Sequence, residues 1–250
     1  LVLSEVMTII MALISLFSKK KNRGGEKSPP LINKGELIMK LKVYDCETYY
    51  DGGDRKPHVC NINPGYTCLV GPNGSGKTTL LKQIRSFCKE NSDKYEVLHY
   101  DNLHDGGSRA AGSYINSNNP MFAATLLSSS EGEGIMLNLG TFAQKCGKIT
   151  RVCKEKGKSF VILVDGFDSG TSIDKIYEFR KYFIDTIINH CASEGIEVYI
   201  IITANSYEMV EDNADCIVAH TREHKRFKTY DSFKKFIIKL AEKLNAEMEE

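Results

Sequence analysis

Two kinds of apolar pattern alternate along the chain. "FVILV" (160–164) and "VYIIITA" (198–204) are continuous apolar runs, the mark of strands buried on both faces. "YEVLHYD" (95–101) reads as a third strand. Residues 133–156 place Ile135, Met136, Leu139, Phe142, Ala143, Cys146 and Ile149 at helical spacing, and residues 173–191 do so through Ile173, Ile176, Tyr177, Phe179, Tyr182, Phe183 and Ile187. A last helix from Ser232 gathers Phe233, Phe236, Ile237, Leu240 and Leu244 on one face. Towards the N-terminus, "MKLKVYDCETYY" (39–50) is a strand entering a short loop, and "HVCNINPGYTCLVG" (58–71) adds strand material around a Pro64-Gly65 turn. "CIVAH" (216–220) and "RFKTY" (226–230) read as two short strands. Residues 102–120, rich in Gly, Ser and Asn, read as a long loop. Strands alternating with helices predict an α/β fold: a mainly parallel sheet flanked by helices, with an antiparallel N-terminal β portion.

Residues 1–38 stand apart from this pattern. "VMTIIMALISLF" is too short to cross a bilayer, which takes about 20 residues, and its lysines follow it instead of preceding it as in a secretion signal. Two readings fit: a short hydrophobic anchor, or upstream sequence read in frame. The second is favoured, because "KGELIM" back-translates to a purine-rich ribosome-binding run ahead of a start at Met39. The expected organisation is a non-domain extension over 1–38 and one domain over 39–250. Without the extension the chain holds 27 Lys+Arg against 29 Asp+Glu, since six of the 33 basic and three of the 32 acidic side chains lie in it. Net charge therefore gives no sign of a dedicated nucleic-acid binder. Two readings of the basic stretch "TREHKRFK" (221–228) stay open: a local phosphate contact, which keeps nucleic acid as a possible partner, and a solvated turn, which is favoured. The eight cysteines show no C-x-x-C pair and fall in apolar runs, so they read as reduced core thiols of a cytoplasmic protein.

The chemistry centres on "GPNGSGKT" (71–78), a full G-x-x-x-x-G-K-[ST] match between the strand "TCLV" and the helix "TLLKQI". Its glycines let the amides of residues 74–77 turn around a β-phosphate, with the positive end of a helix behind them. Gly71, Pro72, Asn73, Gly74, Ser75, Gly76, Lys77, Thr78 and Thr79 are the expected nucleotide-binding residues. Lys77 is the charge for the β- and γ-phosphates, and Thr78 with Asp165 at the end of "FVILV" is the expected Mg²⁺ pair. The implied cofactors are ATP and Mg²⁺. Ser130 and Glu133 have the spacing of a capping box at a helix start.

The loop "GPNGSGKTTLLK" together with Asp165 resembles ABC-type P-loop ATPases, in the wide sense that includes SMC-like and RecF-like proteins, over most of residues 39–230. The resemblance implies an ATP-dependent, head-to-tail homodimer in which a signature segment of one subunit meets the γ-phosphate held by the other. Ser130, Gly132 and Glu133 of "SSSEGEGIMLNLG" (128–140) match that signature, and "DSGTSID" (168–174) matches the following D-loop. Asn205 stands where relatives carry a γ-phosphate-contacting histidine, and Asp101 or Asn102 where they carry a glutamine. Tyr49 or Tyr50 is placed to stack on adenine. Gly166 follows Asp165 where relatives have the glutamate that handles the attacking water, so weak hydrolysis is expected, with Asp168 as the nearest replacement base. The resulting expectation is a switch that acts on an unknown protein partner, away from membranes. A nucleotide-gated module without turnover is the alternative, and a small-molecule kinase a lesser one.

Overall fold

The computed structural model describes residues 38–44, 57–116, 119–212 and 214–249. The N-terminal extension up to residue 37, and Tyr49 and Tyr50, lie outside the described residues. The chain opens with β1 (Met39–Val43) and β2 (His58–Ile62), an antiparallel hairpin in which Leu41 pairs with Cys60. Then follow β3 (Gly65–Val70), α1 (Lys77–Glu90), β4 (Tyr95–Asp101), α2 (Asn102–Asp105), a 3₁₀ turn (Gly107–Ala110), α3 (Ala111–Asn116), α4 (Pro120–Ser128) and α5 (Glu131–Lys156). After β5 (Ser159–Asp165) come α6 (Ile173–Glu178), a π-helical segment (Phe179–Ile184) and α7 (Asp185–Ser193). The remainder is β6 (Val198–Ala204), a 3₁₀ turn (Tyr207–Met209), β7 (Asp215–Val218), β8 (His224–Lys225) and α8 (Tyr230–Glu249).

The main sheet has the order β4-β5-β6-β3-β7-β8. Every pairing in it is parallel except β7 with β8. This is the expected architecture: a mainly parallel sheet between helices, plus an antiparallel N-terminal hairpin. The continuous apolar runs follow from its two covered faces. Phe160, Ile162 and Val164 of β5, with Ile200, Ile202 and Ala204 of β6, pack towards α5, the 173–193 helix and α8. Val161 and Leu163, with Tyr199 and Ile201, pack towards the hairpin and α1. The Gln83 side chain ties the hairpin to α1: it accepts from the Tyr44 amide at 2.7 Å and donates to the Tyr44 carbonyl at 2.8 Å.

The structure corrects several local expectations. The described residues within 102–120 are not a loop but mostly short helices, around a small core of Ala110, Ala111, Ala123 and Leu126. Asp101 caps α2 by accepting from the Leu103 amide, and Asn119 caps α4 ahead of Pro120, so side-chain caps hold helices whose composition argues against them. "RFKTY" is not a strand: only His224–Lys225 pair with β7, while Phe227 turns inward between Phe233 and Phe236. The last helix starts at Tyr230, two residues before the expected Ser232. The 173–191 helix contains the π segment, where Phe179 stacks on Phe167 at 3.9 Å and on Phe183 at 5.1 Å. The seven described cysteines are free and buried.

Candidate functional site

Three parallel strands, β3, β5 and β6, end side by side, and the loops that leave them enclose a cavity of about 370 Å³. Residues 73–79, Asp165, Gly166, Ser169, Thr203 and Asn205 line it. At Gly71, φ is +152°, and a Cβ would lie 2.3 Å from the Ser75 hydroxyl, so only glycine lets the loop close there. Gly76 precedes α1 without a side-chain cap, and no acidic residue occupies the first turn. The helix thus presents its free amides and positive end to the cavity, a site suited to an anion.

Lys77 is 9% exposed and donates to the carbonyls of Gly71 at 2.6 Å and Pro72 at 3.1 Å. Burial pushes its ammonium below the usual lysine range, while Asp168 and then Asp165 pull it back up. This buried cation, held by neutral carbonyls and faced by two carboxylates, is poised for a polyanion. Asp165 Oδ1 receives the Thr203 hydroxyl at 2.7 Å and the Thr78 hydroxyl at 3.3 Å. A hydroxyl and a carboxylate oxygen this close fit Mg²⁺, which takes oxygen ligands and keeps several waters.

The loop after β5 is stapled to the loop after β6. The Gly166 amide donates to Thr203 Oγ1 at 2.8 Å. Asp168 accepts from the Asn205 amide (2.6 Å), the Ser206 amide (2.8 Å) and Asn205 Nδ2 (3.1 Å). Of the four expected catalytic residues, Lys77, Asp165 and Asn205 line the cavity; Asp168 does not, and is bonded to Asn205. Asn102 is buried and donates to the Ser169 carbonyl at 2.8 Å while accepting from the Tyr100 hydroxyl at 3.2 Å, so it touches this loop from outside the cavity. Asp101 is occupied in capping α2.

Ser130 and Gly132 do not line the cavity. They open α5, where the capping box is complete: Ser130 Oγ accepts from the Glu133 amide, and Glu133 Oε2 from the Ser130 amide at 2.9 Å. Those bonds hold the Glu133 carboxyl below its usual range. Gly132 faces the Gly170 carbonyl, at 4.0 Å from a Cβ placed on it. Thr203 is the functional residue that sequence reasoning missed. Its signal is legible in retrospect: a threonine inside the otherwise apolar end of "VYIIITA" places a hydroxyl where a buried partner is expected.

Two substitutions test this geometry. Lys77→Ala removes a charged donor, worth about 1.5–3 kcal/mol, and should lower ATP affinity by about 10- to 100-fold in a calorimetric titration. Thr203→Val leaves the Gly166 amide without its acceptor and Asp165 Oδ1 with only the longer bond from the Thr78 hydroxyl. It should cost about 1–3 kcal/mol in urea unfolding and weaken the Mg²⁺ dependence of ATP binding. Unchanged magnesium dependence would remove Thr203 from the site.

Comparison with known proteins bears on the family of the chain. The family model for the "ATPase family associated with various cellular activities (AAA)" matches residues 67–218, from β3 to the end of β7. The probable multidrug ABC transporter ATP-binding protein YbhF of Escherichia coli (strain K12) is 40% identical over 53 residues, 21% of this chain and 9% of that protein. The signal recognition particle 54 kDa protein of Acidianus ambivalens is 34% identical over 94 residues, 37% of this chain and 21% of that protein. The chain thus matches less than a quarter of the length of either curated relative. Among solved structures, the Aeropyrum pernix ORC2 protein in ADPNP-ADP complexes aligns at TM-score 0.30 and 9% identity, over 59% of this chain and 36% of that one. With its model matched over more than half of the sequence, the AAA family of ATPases is the family to which this chain belongs.

Proposed function

We propose that the protein is an ATP-controlled switch that hydrolyses ATP slowly, pairing head to tail with a second copy while ATP is bound and acting on a protein partner. Bound Mg²⁺ at Thr78 and Asp165 would neutralise phosphate charge. Lys77 and the amides of residues 74–77 hold the β- and γ-phosphates. The α5 start of the second copy, with Ser130 and Gly132, meets the γ-phosphate through its amides, against the charge of Glu131 and Glu133 in its first turn.

One observation carries the slow turnover: Gly166, in the position of a general base, has φ +67°. A base contributes roughly 10²–10⁴ in rate, about 3–5 kcal/mol. Here that contribution is missing at Gly166, and electrostatic positioning by Lys77 and the loop amides remains. The hydrogen bonds of Asp168 favour the second reading, a nucleotide-gated module with negligible turnover, because three donors already engage the nearest replacement carboxylate.

Phosphate release measured beside solution mass, with ATP and with ADP, separates the two readings: the first requires the mass to double with ATP and gives steady release, and the second requires neither. Gly132→Asp puts a negative charge where the γ-phosphate of the other copy would arrive, at a position with room for a Cβ. It should leave ATP binding intact and abolish the ATP-dependent dimer; persistence of the dimer would exclude the head-to-tail arrangement. Gly166→Glu must adopt a left-handed backbone at a cost of about 1–2 kcal/mol. Turnover should stay at the wild-type level and the melting temperature should fall. A rate increase towards that of a base-assisted enzyme would show that the backbone can rearrange to seat a base.

A further inference from the structure

Residues 225–239 hold six basic side chains, Lys225, Arg226, Lys228, Lys234, Lys235 and Lys239, against one acid, Asp231. The rest of residues 39–250 then has 21 basic and 28 acidic side chains, so a segment at +5 sits on a body at −7. In sequence, 221–228 reads as a solvated turn; in the structure it is one edge of a larger surface. Phe227 packs on Phe233 at 5.1 Å and Phe236 at 5.2 Å, which fixes the 225–228 segment along α8. Lys225 Nζ lies 4.7 Å from the centre of the Phe236 ring, which turns the ammonium towards the helix. Lys235 and Lys239, one turn apart on α8 and on either side of Phe236 in the sequence, are exposed.

Internal structure does not account for these charges. All six cations are exposed, and none forms an ion pair among the described residues. Like charges at i,i+4, as in Lys235 and Lys239, destabilise a helix by about 0.2–0.5 kcal/mol, a cost that an external anion removes. A membrane surface suits the patch poorly. An interfacial helix inserts a broad apolar face, and the apolar face of α8, with Phe233 and Leu240, is already buried in the core. A polyanion that needs no apolar partner remains.

We propose that β8, the segment after it and the first half of α8 form a binding face for the phosphate backbone of nucleic acid, without base readout. The face is independent of the nucleotide cavity, and its test requires no ATP. The full chain is titrated with fluorescent single-stranded and duplex oligonucleotides of mixed sequence over a series of monovalent salt concentrations. About four phosphate contacts predict a log–log salt slope near −3 to −4. Lys235→Ala with Lys239→Ala should make the slope shallower by about two while ATP binding is retained; Lys89→Ala on α1 should leave it unchanged. If the alanine pair loses ATP binding, Lys235→Gln with Lys239→Gln carries the same comparison. The proposal is overturned by an absence of salt-dependent binding to either oligonucleotide, by an unchanged slope in the paired variants, or by binding to phosphatidylserine vesicles alone.

Discussion

The register between β5 and β6 is the constraint on which the site depends. Val164 pairs with Ile202, so the next residues along, Asp165 and Thr203, end up beside each other at the strand ends. Thr203 is 2% exposed, and leaving a hydroxyl buried that deeply unbonded costs free energy. It gives its proton to Asp165 and takes one from the Gly166 amide, serving the acid and the turn that follows it with one atom. A slip of one residue would turn Thr203 to the opposite face, orphan the Gly166 amide and leave Asp165 with the Thr78 hydroxyl alone. The ladder between β3 and β6 then matters as well, since Val70 pairs with Ala204 and brings the phosphate loop to the same edge. The buried Lys77 ammonium is tolerable only because that loop folds its carbonyls back onto it.

What could be read from the sequence was local, and what could not was long-range. The phosphate loop is contiguous, and its glycines and lysine occupy positions set by backbone geometry. The apolar runs of β5 and β6 announce strands covered on both faces, and the capping box at Ser130 and Glu133 is a contact across three residues. The helices within 102–128 were hidden because no single piece is long enough to show a period. They form through caps at Asp101 and Asn119 and through packing on Leu137 of α5. Asn119-Pro120 was a readable start signal inside a stretch whose Gly, Ser and Asn content pointed elsewhere. The staple from Asp168 to Asn205 and Ser206 spans 37 and 38 residues and joins loops after neighbouring strands, so no spacing rule finds it. Phe227 shows a different limit: its alternation with Arg226 and Lys228 suggests a strand, but two phenylalanines of α8 draw it off the sheet edge.

Gly166 and Asp168 make one argument about rate. The positive φ at Gly166 starts the turn that carries Asp168 across to the β6 loop, and the Ser169 amide closes that turn on the Gly166 carbonyl at 3.0 Å. A glutamate at 166 would oppose the backbone that makes the turn. An Asp168 acting as base would have to release the donors it now holds. The two at Asn205 are exposed, and water can replace the carboxylate there; the Ser206 amide is partly buried and would be left poorly satisfied. That loss is on the order of 1–3 kcal/mol. It offsets a large part of the roughly 3–5 kcal/mol a positioned base supplies. In this loop the geometry that holds the phosphate cavity together and the geometry that would speed hydrolysis compete for the same carboxylate, and the hydrogen bonds in place favour the first.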